Sequence, residues 1–170
     1  MKGFFRKIKG SLECFSASST DLSKSLSCVE SIRSQRARIE RSLRKRKRGD
    51  MIKMIRKGFL HYAIYIGRDK IVDLVADNGG EVSSRNLYET VGDSECAIDN
   101  YLDEQRSPYS KRRVVQRALL SIADQHIYSL GTYNCEHFAT WCRYGYKCCH
   151  QPCEVAAMFG AISESSLSSS

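Results

Sequence analysis

Residues 61–76 read HYAIYIGRDKIVDLVA, and the fold turns on them. Apolar, β-branched and aromatic residues alternate on both sides of Gly67–Arg68–Asp69, which is the pattern of a β-hairpin. Just upstream, MIKMI (51–55) is a further strand candidate. Downstream, residues 77–92 carry Gly79, Gly80 and another strand-like run. Then the period changes. In KRRVVQRALLSIAD (111–124), Val114, Val115, Ala118, Leu119 and Ile122 fall on one helical face. NCEHFATWCRYG (134–145) predicts a second helix, with Asn134 as its cap, Cys135 on its first turn and Gly145 at its end. Phe138, Trp141 and Cys142 then face the core. HIYSL (126–130) is a short strand or an extended link, and residues 153–162 predict a last short helix.

At 170 residues with 42% apolar content, one domain plus a tail is expected. The net charge of +8 is unevenly placed. Residues 1–48 hold fourteen Lys/Arg and four Asp/Glu, a net of +10, so the remainder is nearly neutral. Eight cysteines without an apolar leader in MKGFFRKIKG point to free thiols in a reducing compartment. The longest apolar run, VAAMFGAI (155–162), is far short of the ~20 residues a spanning helix needs.

The basic segment has parts. Phe4, Phe5, Ile8 and Leu12 sit at helical spacing among Lys2, Arg6, Lys7 and Lys9, which suits an anionic membrane surface or is simply a frayed terminus. Residues 16–31 are Ser-rich and expected to be irregular. ESIRSQRARIERSLRKRKR (30–48) reads as a basic helix or a solvated linker. Its closing cationic run at 44–48 fits lipid headgroups, nucleic acid or nuclear import, and charge alone does not choose among them.

A cysteine on a first helical turn meets unpaired N–H groups and the positive end of the helix dipole, which favour thiolate. Beside an imidazole, such a thiolate is an acyl-transfer nucleophile, and the same N–H groups can donate to an oxyanion. His126 and His150 lie in linkers. His137 is two positions from Cys135, so its side chain points elsewhere on a helix. His61 opens a strand and is the sequence-distant partner a Cys–His site uses.

GDMIKMIRKGFLHYAIYIG (49–67) followed by NCEHFATWCRYG (134–145) resembles the lecithin:retinol acyltransferase family, most nearly its small H-Ras-like suppressor phospholipase A/acyltransferases. H-box and NC-motif relatives also occur in some picornaviruses. The likeness covers about residues 49–162 and includes RSPYSKRRVVQRAL (106–119). It implies an α+β fold of circularly permuted papain-like type, with an antiparallel sheet and the nucleophile at a helix N-terminus. It also implies Cys135 as nucleophile and His61 as general base. The domains are then a basic, partly disordered segment (1–48), the catalytic domain (49–162) and a disordered Ser-rich tail (163–170).

Three departures stand out. The family's third polar residue, usually a second histidine, falls on Asp73. The C-terminal membrane helix of many members has no counterpart, and the long basic N-terminal segment is unlike the usual small members. Asp73 has its own expectation. A three-residue loop at 67–69 pairs Ile66 with Lys70, Ala63 with Asp73 and His61 with Val75, which sets Asp73 diagonally across from His61. A two-residue loop turns Asp73 to the opposite face. An apolar core does not welcome an unpaired carboxylate, so the three-residue loop and a His61–Asp73 pair are expected. Asp73 would fix the imidazole's tautomer, as a triad carboxylate does.

Cys142, Cys148, Cys149, His150 and Cys153 invite a zinc reading, but only Cys149 and Cys153 approach ligand-pair spacing. No metal and no cofactor are expected. The resulting expectation is a cytoplasmic, peripheral-membrane thiol acyltransferase or phospholipase A, held at a phospholipid surface by residues 1–48. Two alternatives remain: an inactive member that acts in signalling or growth control by binding a membrane or a partner, which Asp73 favours, and an inactive domain with a nucleic-acid-binding arm.

Overall fold

The computed structural model describes residues 19–75, 80–123 and 134–150. The Phe4/Phe5/Ile8/Leu12 stripe, residues 126–130 with His126, the 153–162 helix with Cys153, and the Ser-rich tail lie outside the described residues. The chain divides at Ser34/Gln35 into two units. In the first, the opening of helix α1 (Ser19–Ser42) leaves Leu26, Val29 and Ile32 exposed. Residues 19–31, expected to be irregular, are therefore helical. The serines fit because their hydroxyls bond back along the helix, Ser27 to the Lys24 carbonyl and Ser34 to that of Glu30, both at 2.9 Å.

The second unit is α+β. Its strands are β1 (Met51–Arg56), β2 (Phe59–Gly67), β3 (Lys70–Val75), β4 (Glu81–Asn86) and β5 (Glu95–Ile98). They form one antiparallel sheet in the order β4-β3-β2-β1-β5. Helix α2 (Leu87–Val91) joins β4 to β5, and α3 (Lys111–Ala123) and α4 (Cys135–Tyr144) follow. Strand alternation sorts the core into two layers. Met51, Tyr62, Ile64, Val72, Leu74 and Val82 pack with α3 and α4 through Val114, Ala118, Phe138 and Cys142. Ile52, Met54, Ala63, Tyr65 and Ile71 pack on the other face with Ile39 and Leu43 of the α1 end and with Leu87 and Val91 of α2.

Ile39 and Leu43 are fully buried, so the compact unit begins before residue 49, and part of the basic segment belongs to the core. Two of its arginines are also committed. Arg38 donates to the carbonyls of Ser94 and Gly92 at 2.8 Å, and Arg46 pairs with Glu40 at 2.8 Å and Asp69 at 3.2 Å.

The hairpin between β2 and β3 corrects the expected loop. Gly67 pairs with Lys70, so the loop is the two residues Arg68 and Asp69. Both have positive φ, 52° and 56°, as a tight hairpin turn requires. The register then shifts between Tyr65 and Gly67, leaving Ile66 as an extra bulged residue. The short turn and the bulge offset each other, and Ala63 still faces Asp73.

On α3, Val114, Val115, Ala118 and Ser121 are buried, whereas Leu119 and Ile122 are 44% and 38% exposed, against expectation. The buried stripe runs through Ser121, whose hydroxyl is satisfied by the Arg117 carbonyl at 3.0 Å. Arg117 lies over the Trp141 ring and donates to the Trp141 carbonyl, joining α3 to α4. Among the described residues no helix is long and apolar enough to cross a membrane.

Candidate active site

The first turn of α4 is tightly capped. Asn134 Oδ1 accepts from the N–H groups of Glu136 and His137, each at 3.0 Å. His137 Nδ1 accepts in return from the Asn134 N–H at 3.3 Å, completing a capping box. Of the four N–H groups a helix start leaves over, three are thus committed, and the remaining first-turn donor is the amide of Cys135. His137 therefore serves the cap. Glu136, fully buried on the same turn, accepts from the Tyr101 hydroxyl (2.9 Å), the His150 amide (2.8 Å) and the Cys149 thiol (3.0 Å).

Cys135 is half-buried, and its sulfur lies 3.7 Å from the carbonyl oxygen of Leu60, the residue before His61. The N-terminus of α4 therefore meets the start of β2. Across the sheet, His61 Nε2 is 2.6 Å from Asp73 Oδ2. Asp73 is fully buried and has a second partner that the sequence did not reveal. Arg85 of β4 donates through Nε to Oδ1 at 3.1 Å and through Nη2 to Oδ2.

Burial disfavours the His61 cation, but hydrogen bonds to Asp73 and to the Cys135 sulfur outweigh it, and the imidazole pKa is pushed up to about 9. Burial likewise disfavours the Asp73 anion, yet His61 and Arg85 hold its carboxyl below the ordinary range. The structure therefore brings Cys135, His61 and Asp73 into one cluster. Such an arrangement can move a proton from sulfur to imidazole and stabilise the imidazolium that results. Cys142, the other cysteine of α4, is fully buried, and burial pushes its thiol well up. Among the described residues no group of three His, Cys, Asp or Glu side chains is arranged to hold a metal ion.

A family model described as lecithin retinol acyltransferase matches residues 44–148, a span that includes the β2 histidine and the α4 cysteine. The chain belongs to the lecithin retinol acyltransferase family. Among curated relatives, human phospholipase A and acyltransferase 4 is 31% identical over 121 residues, covering 62% of this chain and 74% of that protein. Human phospholipase A and acyltransferase 3 is 31% identical over 115 residues, covering 58% and 71%. Human phospholipase A and acyltransferase 1 is 29% identical over 112 residues, covering 57% and 67%.

The family match starts close to Leu43, in keeping with a core that recruits the α1 end. It stops at residue 148, just past the Arg143–Tyr144–Gly145 corner. That corner closes the domain. Arg143 donates to the Gly49 carbonyl at 2.8 Å and grips Asp103 through Nε and Nη2 at 2.9 and 2.7 Å. Gly145 has φ of 75° and lies against the Tyr109 ring, where a Cβ would collide with the phenol.

Proposed function

We propose that the protein is a thiol-dependent phospholipid acyltransferase and phospholipase A that works through an acyl-cysteine on Cys135. One observation carries the reading. The Asp73 carboxylate lies 2.6 Å from Nε2 of a buried imidazole, and the sulfur on the first turn of α4 lies 3.7 Å from the carbonyl of Leu60, the residue before that histidine, and helps to raise the imidazole's pKa. Nε2 is engaged by Asp73, so Nδ1 holds the proton given up by the thiol, and the raised pKa of the imidazole keeps it there and leaves the sulfur as thiolate. The sulfur attacks an ester carbonyl of a membrane glycerophospholipid, and the Cys135 amide donates to the oxyanion. The imidazolium returns its proton to the departing lysophospholipid oxygen. His61 then activates water, an amine or a lysolipid, which takes the acyl group from the thioester. Asp73 holds the ring's tautomer and balances the imidazolium charge. The reading implies a circularly permuted papain-like arrangement, with the histidine strand ahead of the cysteine helix in the chain.

Membrane contact through the basic segment belongs to the same proposal, with the domain peripheral on a cytosolic bilayer face. Arg41, Arg44, Lys45, Lys47 and Arg48 are exposed and uncommitted to the contacts that hold Arg38 and Arg46. Each cation near an anionic surface adds about 1 kcal/mol.

The test is intact mass after incubation with phosphatidylcholine vesicles. A gain of one acyl group, mapped to Cys135 and absent from Cys135→Ser, is expected. An unmodified wild-type protein that also releases no lysophospholipid would refute the reading.

A further inference from the structure

We propose that Arg85 is a positioning residue of this site, whose guanidinium fork aims the Asp73 carboxylate at His61, so that residues 73 and 85 act as one exchangeable unit. The proposal rests on the Cys135–His61–Asp73 reading and deepens it.

The geometry is a diagonal row across three strands. Ala63 faces Asp73 in the β2–β3 register, which leaves His61 one diagonal step away. Asp73 faces Ser83 and Ile71 faces Arg85 in the β3–β4 register, so Arg85 is one diagonal step away on the other side. Strand β4 is a sheet edge, and its arginine could extend into water. Instead Nε and Nη2 take one carboxylate oxygen each, the paired contact that fixes a carboxylate's plane. Oδ2 then accepts from both Arg85 Nη2 and His61 Nε2. A carboxylate with no exposed surface needs such compensation to stay ionised. The charged or titratable groups around His61 are Asp73 from β3, Cys135 from α4 and, through Asp73, Arg85 from β4; Met54, its partner on β1, is uncharged.

A consequence separates this role from a merely structural one. Guanidinium has five donors and no acceptor. A histidine placed at 73 would therefore find no acceptor in Arg85, and a charged one would be repelled by it. Asp73→His alone should be poor, and adding Arg85→Gln, which brings an acceptor and removes the charge, should restore function.

The experiment uses the full chain and the rate of iodoacetamide alkylation at Cys135, located by peptide mass mapping and followed against pH. No lipid is needed, so this readout stands apart from lysophospholipid release, which is measured in parallel. Arg85→Gln should slow alkylation about tenfold in the wild type but less than about twofold in Asp73→Asn, because residues of one network couple. Asp73→His should be slow, and Asp73→His/Arg85→Gln should recover about tenfold of that loss. Arg85→Lys, which keeps charge without the fork, should fall between and carries the same cycle if the Gln variant melts early. Equal slowing by Arg85→Gln in both backgrounds, or an Asp73→His variant indifferent to residue 85, overturns the proposal. The expected coupling in a protein that turns over no lipid would support the Arg85 role while sinking the lipid reading.

Discussion

Burial opposes the charge on both His61 and Asp73, and their partners outweigh it, Asp73 and the Cys135 sulfur for the imidazole and His61 and Arg85 for the carboxylate. The sign of the pH dependence follows. His61, raised to about 9, gives stability that is complete below its ordinary range near 6.5 and is lost as pH climbs through the raised value. Asp73, lowered, gives stability that is present above the ordinary carboxylate range and lost as pH falls below it. Urea denaturation should therefore show the Asp73→Asn penalty largest from about pH 5 to 6.5, on the order of 3 kcal/mol as for a buried pair that loses a partner, and shrinking toward pH 10. A penalty that grows between pH 6.5 and pH 10 would contradict the pairing. Turnover should fall by roughly a thousandfold or more in Cys135→Ser, as when one member of a catalytic unit is removed. Cys142→Ser should leave turnover nearly intact, since its thiol is sealed in the core. The His61–Asp73 contact was readable because strand alternation puts the two residues on one face of the sheet. Arg85 was not, because its contact depends on the β3–β4 register: a two-residue turn at Asn78–Gly79 would pair Val75 with Val82, whereas Val75 pairs with Glu81.

At the scale of elements, the hairpin was recognised but its turn was not. Alternation marks the strands, and Gly67–Arg68–Asp69 marks the bend, yet the choice between a longer loop and a tight turn plus bulge is made by tertiary contacts. Asp69 accepts at its carbonyl from the Leu87 amide (2.8 Å) and pairs with Arg46, which draws the turn toward α2 and the α1 end. Arg68 pays a backbone penalty at φ 52°, and asparagine tolerates that conformation better. Arg68→Asn should stabilise the domain by a few tenths of a kcal/mol up to about 1, read as a higher urea midpoint with an unchanged slope. Gly145→Ala should do the reverse, at about 1–3 kcal/mol, because a left-handed backbone and the Tyr109 ring both resist the new methyl group. A wild-type midpoint in Gly145→Ala would mean that the corner relaxes freely. Strand β5 left no periodic trace because four residues are too few, and its pairing partner β1 is distant in sequence.

For the whole molecule, the charge imbalance suggested a boundary at residue 49, where composition changes. Packing put it earlier, because Ile39 and Leu43 are two apolar residues at helical spacing inside a basic run, and only the fold shows that they have a face to cover. Removing residues 1–34 should leave the second unit with a nearly unchanged melting temperature. Removing 1–48 should destabilise it strongly, since truncating each buried aliphatic costs about 2–5 kcal/mol. Equal melting of the two deletions would argue that the α1 end is dispensable. Binding to phosphatidylserine vesicles should fall as salt rises. It should also fall sharply when Arg41, Arg44, Lys45, Lys47 and Arg48 are changed together to Gln, with Arg38 and Arg46 kept for the fold. Vesicle binding unaffected by that change, or displaced by a tighter nucleic-acid interaction, would move the segment's role elsewhere.

The strand order has a consequence for how the chain is made. Strands β2, β3 and β4 are consecutive antiparallel neighbours, so His61, Asp73 and Arg85 can meet while the rest of the domain is still being translated. Cys135 arrives from the last described helix, long after its partners. At roughly 5–20 residues per second the sheet waits several seconds for the sulfur. A nascent chain whose β4 has cleared the ribosome before α4 has emerged would thus be able to form the imidazole–carboxylate–guanidinium row with no thiol beside it, and the row would meet its sulfur only when synthesis of the domain nears completion.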